Sequence, residues 1–430
     1  MRQQARRPDQ IVLIDAMTGV EWTAVALTEA ALFFSDHLRR YEVGARIAFR
    51  LPNGQEWMAL FLALQREGFV AIPLDGAMPK EGCLETARRL GASSIYIDGE
   101  FHALKGKAAG RKTKACCVKI TSGSSAVPKA IECRAEHLHA DGRNVVKTMG
   151  IRAGDINLAV IPLGHSYGLG NLVMPLIMQG TAMVCAGDYV PRQLVEWIGR
   201  YHVTVFPTVP ALVRVMAALG PGVGKLDSLR TMISAGAPLT PAVAQAFFER
   251  FGLKVHNFYG SSETGGICYD RTGSASLTGR SVGKALAGVT VSVKAGRVVV
   301  ASPAVAVRGG KWRLSDFGEW NKRGELVLLG RAGQGANIGG KKVHPLEVQR
   351  VLLALPGVSD AAVWAGQDGE RDLLFAAVET KKSRVAIERA LAAQLPAWKL
   401  PKSYFVAREL PRTGRGKLDL VTLKNCSGGL

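Results

Sequence analysis

The sequence predicts an α/β protein with a large amino-terminal unit and a smaller carboxyl-terminal α+β unit. Three observations carry this. Short apolar runs alternate with helical patterns from Leu27 to Phe258, and after Gly283 the pattern changes to short strands with glycine turns. A glycine cluster at Gly333, Gly335, Gly339 and Gly340 then precedes a compact α/β tail. Strand–helix alternation points to a sheet covered on both faces. At 430 residues the chain exceeds one compact core, so two or three units are expected.

The elements follow in order. Residues 27–41 have apolar side chains at helical spacing, and 46–51 form a short strand closed by the turn Pro52-Asn53-Gly54. Residues 55–68 are helical again, 69–74 a buried strand, 85–90 a helix and 94–98 a strand. Further on come helices at 190–201, 211–219 and 241–251, with strands at 203–207, 229–234 and 254–258. The stretch from Gly283 to Gly330 reads as a small β-rich subdomain. The tail reads as a helix at 346–355, strands at 361–364 and 373–379, a helix at 385–395 and an extended segment to Leu420. The expected boundary divides 1–330 from 331–430.

From Ile156 to Gly187 there is no Asp, Glu, Lys or Arg, a length able to cross a bilayer. Pro162, Pro175, His165 and repeated glycines break it, so buried core is expected and no integral membrane span. The first residues lack a secretory apolar run. The seven cysteines form no CxxC pair and read as reduced thiols, which implies a cytoplasmic location.

The formal charge is +20, from 55 basic and 35 acidic residues. Nucleic acid, an anionic membrane surface, and anionic substrates or acidic protein partners all fit such a charge. The basic residues are spread, and the dense stretch 105–119 has no aromatic interleaving, so no nucleic-acid partner is expected.

Five motifs carry candidate chemistry. Thr121-Ser122-Gly123-Ser124-Ser125-Ala126-Val127-Pro128-Lys129 follows the strand CCVKI and offers hydroxyls, backbone N–H groups and a compact cation, as a loop around a triphosphate needs. It is not the GxxxxGK[ST] loop. Asn257-Phe258-Tyr259-Gly260-Ser261-Ser262-Glu263-Thr264 places an aromatic ring, hydroxyls and a carboxylate in one turn, able to stack a base, bind phosphate and hold Mg²⁺. Ser315-Asp316 supplies a carboxylate for ribose hydroxyls, and Gly330-Arg331 a guanidinium for phosphate or ribose. The fifth is the basic glycine-rich run Leu410–Asp419, which contains Lys417. Each motif alone is equally a turn or a solvated charge run.

In this order the motifs resemble the adenylate-forming superfamily of acyl-CoA synthetases, adenylation domains and luciferase-like enzymes. The resemblance spans nearly the whole chain. It includes LPNGQEWMALFLALQREGFVAIPL, Gly164-His165-Ser166-Tyr167-Gly168-Leu169 beside an acyl pocket, and Ser234-Ala235-Gly236-Ala237-Pro238-Leu239 against an adenine. It also includes Ile338-Gly339-Gly340-Lys341-Lys342-Val343-His344-Pro345 at the start of a mobile carboxyl-terminal domain.

The resemblance implies roles. Thr121, Ser122, Gly123, Ser124, Ser125 and Lys129 would hold the β- and γ-phosphates of ATP. Gly236, Ala237, Pro238, Asn257, Phe258, Tyr259 and Gly260 would surround the adenine, with Asp316 and Arg331 on the ribose. Ser262 and Glu263 would act at the α-phosphate and Mg²⁺, with Glu263 as metal ligand. Lys417 would meet the carboxylate and α-phosphate oxygens, and His165 the acyl side, where Tyr167, Ala235 and Gly265 also face. Gly339, Gly340 and Lys341 would line a thiol tunnel.

The implied reaction makes an acyl-adenylate from a small-molecule carboxylic acid, then passes the acyl group to a thiol. Coenzyme A is the expected acceptor. The alternatives are the phosphopantetheine of an acidic acyl carrier protein, or a non-catalytic nucleotide-binding scaffold. Against the family pattern, Ala126 and Ala130 stand where Gly is usual, Ser125 and Ser262 where Thr is usual, and Gly333 at the hinge. Glycine there still permits backbone rotation.

Overall fold

Two open sheets carry the amino-terminal half. The computed structural model describes residues 8–104, 114–121, 129–307, 309–333, 335–338, 341–368, 371–413 and 418–426. One sheet has the order Glu100–Ala103, Ser94–Ile97, Arg46–Arg50, Val70–Leu74, Cys117–Thr121, Lys129–Cys133, with parallel strands in the middle and an antiparallel hairpin at each edge. These central strands read as unbroken apolar runs because both faces are covered. Trp57 on the Gln55–Arg66 helix is wedged between Phe49 and Phe61, with ring centroids 5.5 and 5.1 Å away.

The larger sheet runs Lys284–Ala285, Gly265–Tyr269, Val255–Ser261, Thr231–Ser234, Val205–Thr208, Ile156–Ala159, Ala182–Cys185, Ile11–Asp15, Glu21–Thr23. Its middle strands are parallel. From Ile156–Ala159 the chain steps outward to Ala182–Cys185, then returns to the other side of the same strand as Val205–Thr208. Open α/β sheets bind ligands outside the carboxyl ends of strands at such a reversal.

A four-stranded antiparallel sheet, Thr290–Lys294, Arg297–Ala301, Lys311–Trp320 and Leu326–Arg331, accounts for the β-rich stretch. Beyond it, Val358–Asp368, Arg371–Thr380 and Ser403–Ala407 form a sheet. With the helices Pro345–Ala354 and Arg384–Ala392 it packs around its own core of Val348, Leu352, Leu374, Val378 and Ile387.

The uncharged stretch 156–187 becomes strand, turn, a π-helical segment Leu169–Val173, helix Met174–Gln179 and strand. Among the described residues no helix is long and apolar enough to cross a membrane. Some elements differ from the sequence expectation. The helix expected at 85–90 begins at Lys80, behind Pro79. Its inward residues, Cys83, Thr86 and Ala87, are small or polar and leave little apolar periodicity. The expected extended run to Leu420 is followed by the helix Leu420–Cys426. Asp419 starts it by accepting from the Val421 and Thr422 N–H groups. The helix Ala135–Met149 has no clean apolar stripe because its buried face includes Asp141, Gly142 and Asn144.

Candidate active site

The site grows from the carboxyl ends of three parallel strands. Thr208 stands opposite Ser234, and Ser234 opposite Asn257. The Thr208 and Ser234 hydroxyls are buried with no hydrogen-bond partner among the described residues. Orphan buried polar groups of this kind are rare and mark a place completed by a ligand or water. Asn257 Nδ2 donates to Ser281 O at 3.5 Å. The turn containing Gly236, Ala237 and Pro238 follows Ser234, with Gly236 at φ +85° where a side chain would strain.

Tyr259 lies in the next strand with its Oη buried and unpartnered. The Asp316 carboxylate faces it without completing a hydrogen bond of ordinary geometry. Burial first, and then Asp316, push the phenol far above its usual range, opposed by Arg331. Asp316 and Arg331 are direct cross-strand partners, and Arg331 Nε is 3.4 Å from Asp316 Oδ1. The structure thus unites Tyr259, Asp316 and Arg331, far apart in sequence.

The turn Ser261–Thr264 is held from both sides. Ala306 N donates to Glu263 O at 2.9 Å, and Gly266 N donates to Asp141 Oδ1 at 2.9 Å. Gly260 must lack a side chain, since a Cβ there would stand 2.7 Å from Gly265 O. Among the described residues no group of three His, Cys, Asp or Glu side chains forms a metal cage. One carboxylate at Glu263 suits Mg²⁺, which is usually held by one or two carboxylates together with substrate phosphates.

His165 caps the short helix Ser166–Gly168, taking the Tyr167 N–H at 3.4 Å. Tyr167 reaches Ile233 O at 3.3 Å, and its ring lies 5.6 Å from that of Phe258. Beneath lies a charge the sequence reading passed over. Lys119 Nζ, on a buried side chain, donates to Ser166 Oγ at 3.2 Å. Burial works to lower its pKa, but Cys133 and Asp141 hold it above the ordinary lysine range. Burial pushes both the Cys133 thiol and the Asp141 carboxyl up. Lys119 is the one charge in the strand CCVKI, and that break in an apolar run was the available signal. Lys119 ties the phosphate-loop strand to the His165 loop, and Asp141 ties its own helix to the strand that follows the Glu263 turn.

Thr121 and Lys129 are cross-strand partners at the base of the serine-rich loop. Ser122, Gly123, Ser124, Ser125, Gly339, Gly340 and Lys417 lie outside the described residues. Lys341 is not brought to the strand ends; its Nζ sits 5.3 Å from the Trp398 ring centre within the tail.

Comparison with known proteins identifies the family. The family model described as AMP-binding enzyme matches residues 1–120 and 103–303, and the AMP-binding enzyme C-terminal domain matches 347–417. The chain is similar to a 2-succinylbenzoate–CoA ligase of Geobacillus kaustophilus, 30% identical over 71% of this chain and 68% of that protein. It is also similar to the long-chain-fatty-acid–CoA ligase FadD13 of Mycobacterium tuberculosis, 23% identical over 99% and 97%. The crystal structure of ATP-bound MatB from Rhodopseudomonas palustris superimposes with a TM-score of 0.84, covering 98% of this chain and 97% of that one at 20% identity.

Proposed function

The chain belongs to the AMP-binding enzyme family, and from that premise we propose that it joins a carboxylic acid to the thiol of coenzyme A through an acyl-adenylate. In the first step a carboxylate oxygen attacks the α-phosphorus of ATP, the bond to the bridging oxygen breaks, and pyrophosphate leaves. In the second the thiol sulfur attacks the acyl carbonyl, the thiol proton is lost, and AMP departs.

The observation that carries this reading is the cluster at the strand ends. Tyr259, Asp316 and Arg331 stand beside the Glu263 turn, and buried hydroxyls at Thr208, Ser234 and Tyr259 await partners. Asp316 would accept the ribose hydroxyls, oriented by Arg331, and the Gly236–Pro238 turn and Tyr259 would enclose the adenine. The loop from Thr121 to Lys129 would take the β- and γ-phosphates, with Ser262 at the α-phosphate. Mg²⁺ bound at Glu263 would neutralise phosphate charge during the displacement. Lys417 would supply a cation where the two anionic reactants meet, the kind of preorganised charge that contributes most to such steps.

The acid is the open variable, because the two named relatives act on an aryl keto acid and on fatty acids. An ATP–pyrophosphate exchange screen over short, medium, long-chain and aryl carboxylates tests the reading. No exchange with any class counts against it. We divide the chain at 330/331 and assign Lys417 to the adenylation step alone, with a hinge rotation before thiol attack that brings Gly339–Lys341 to the thiol. Lys417→Ala is then expected to abolish exchange while sparing thioester formation from supplied acyl-adenylate. Equal loss of both steps would refute domain alternation.

Both named relatives are coenzyme A ligases, which supports that acceptor. The +20 charge favours an acidic carrier protein as the second reading. Thioesterification rates with each acceptor at low and high salt separate the two. All seven cysteines are free thiols, which suits a cytoplasmic enzyme.

A further inference from the structure

Asp360 and Glu379 are direct cross-strand partners in the carboxyl-terminal sheet, and both are buried. Like charges placed opposite each other on neighbouring strands destabilise a sheet, and burial makes this worse. Among the described residues of their own unit, one guanidinium pairs with them, that of Arg412. It reaches Asp360 Oδ2 and Glu379 Oε2 at 2.9 Å each. The remaining donors there are neutral: Ser359 Oγ to Glu379 Oε1 at 2.8 Å, Leu410 N to Oε2 at 3.1 Å, and Ala361 N to Asp360 Oδ1 at 2.9 Å. Among the described residues of that unit, two carboxylates face one guanidinium.

A second cation comes from the other unit. Arg214, on the helix Pro210–Ala217, places Nη2 2.7 Å from Asp360 Oδ2 and Nη1 3.2 Å from Glu379 Oε1. The result is a closed ring of alternating charge across the domain boundary. Nearby, Thr240 Oγ1 donates to Ser359 O at 3.3 Å. Both docking points lie on helices that follow strands of the site. The Arg214 helix begins two residues after Thr208, and Thr240 caps the helix that follows the Gly236–Pro238 turn. On the far side of the ring, Arg412 forms a β-bridge with Leu418, closing the base of the segment that carries Lys417 in sequence.

We infer that Arg214 is a positioning residue for adenylation: by completing the charge of the Asp360–Glu379–Arg412 group it docks the carboxyl-terminal unit and fixes the base of the Lys417 segment. The inference rests on the proposed function for its kinetic consequence and on geometry alone for its docking consequence. Arg214 touches two acids through separate nitrogens, a fork that Lys reproduces only as a point charge. The ring must open whenever the unit rotates, so its loss should act on one half-reaction and not on both.

The test compares wild type, Arg214→Ala, Arg214→Lys and Asp360→Asn in three measurements. These are pyrophosphate exchange, thioester formation from synthetic acyl-adenylate, and the radius of gyration by small-angle scattering. Arg214→Ala should lower the exchange rate at saturating ATP at least tenfold, with the KM for ATP and the adenylate-consuming step within twofold. Arg214→Lys should fall between, Asp360→Asn should follow Arg214→Ala, and both Arg214→Ala and Asp360→Asn should expand the molecule. Equal loss in both half-reactions, or unchanged exchange, overturns the inference. Should the wild type exchange no pyrophosphate with any acid, the proposed function fails by itself. The scattering arm then decides docking, and an unchanged radius in both variants overturns it.

Discussion

At the scale of single residues, the least ordinary feature is a lysine buried on the phosphate-loop strand. A buried cation persists only where a counter-charge faces it, because removing either partner strands the other away from water. Lys119 is held by Ser166 Oγ and acts electrostatically on the buried Asp141, whose pKa is raised by burial against the opposing pull of Lys119 and the Gly266 N–H. Asp141→Asn and Lys119→Met are each expected to cost about 3 kcal/mol by denaturant unfolding. The double variant should cost less than the sum by roughly 1 kcal/mol or more. Additive losses would show that the two charges do not depend on one another.

At the scale of elements, the site is made by how strands end. The turn after Val255–Ser261 brings Glu263 round and must enter the antiparallel strand Gly265–Tyr269 at once. Gly265 makes this turn at φ +70°, and a Cβ there would fall 2.3 Å from Asp141 Oδ1. Gly265→Ala combines left-handed strain with displacement of the carboxylate that anchors the turn, so a loss of roughly 3 kcal/mol is expected. Exchange activity should fall by more than the melting shift explains, because Glu263 moves with the turn. A variant of wild-type stability and activity would mean that the turn tolerates rearrangement.

At the scale of the whole molecule, two units meet through a ring of charge. Burial alone would raise the Glu379 carboxyl, but the Leu410 N–H, the Ser359 hydroxyl, Arg214 and Arg412 together hold it below the ordinary glutamate range. A depressed carboxyl contributes stability that is complete above its unfolded pKa and is lost as pH falls through the folded value. The charged groups facing it are Asp360, Arg214 and Arg412. The stability gap between wild type and Arg214→Ala, roughly 2 kcal/mol at neutral pH, should therefore narrow as pH drops below the glutamate range. A gap constant through that range would remove Glu379 from the interface balance.

Much of this was legible in the chain. Residues 241–251 read as a helix by spacing, and the helix is Pro241–Phe251; the apolar run at 69–74 gave the strand Val70–Leu74. The ordered motifs around Tyr259, Asp316 and Arg331 announced a nucleotide chemistry. Less legible were elements whose buried face is polar, such as Ala135–Met149 with Asp141 and Asn144. The sequence by itself determined the alternation, the motif order and the family, because periodicity and local turn chemistry act between near neighbours. Only the tertiary structure decided which groups meet: Lys119 with Ser166, and Arg214 with Asp360 and Glu379. Such pairs join residues far apart in the chain, and their energy depends on burial and distance, which exist only once the fold has closed.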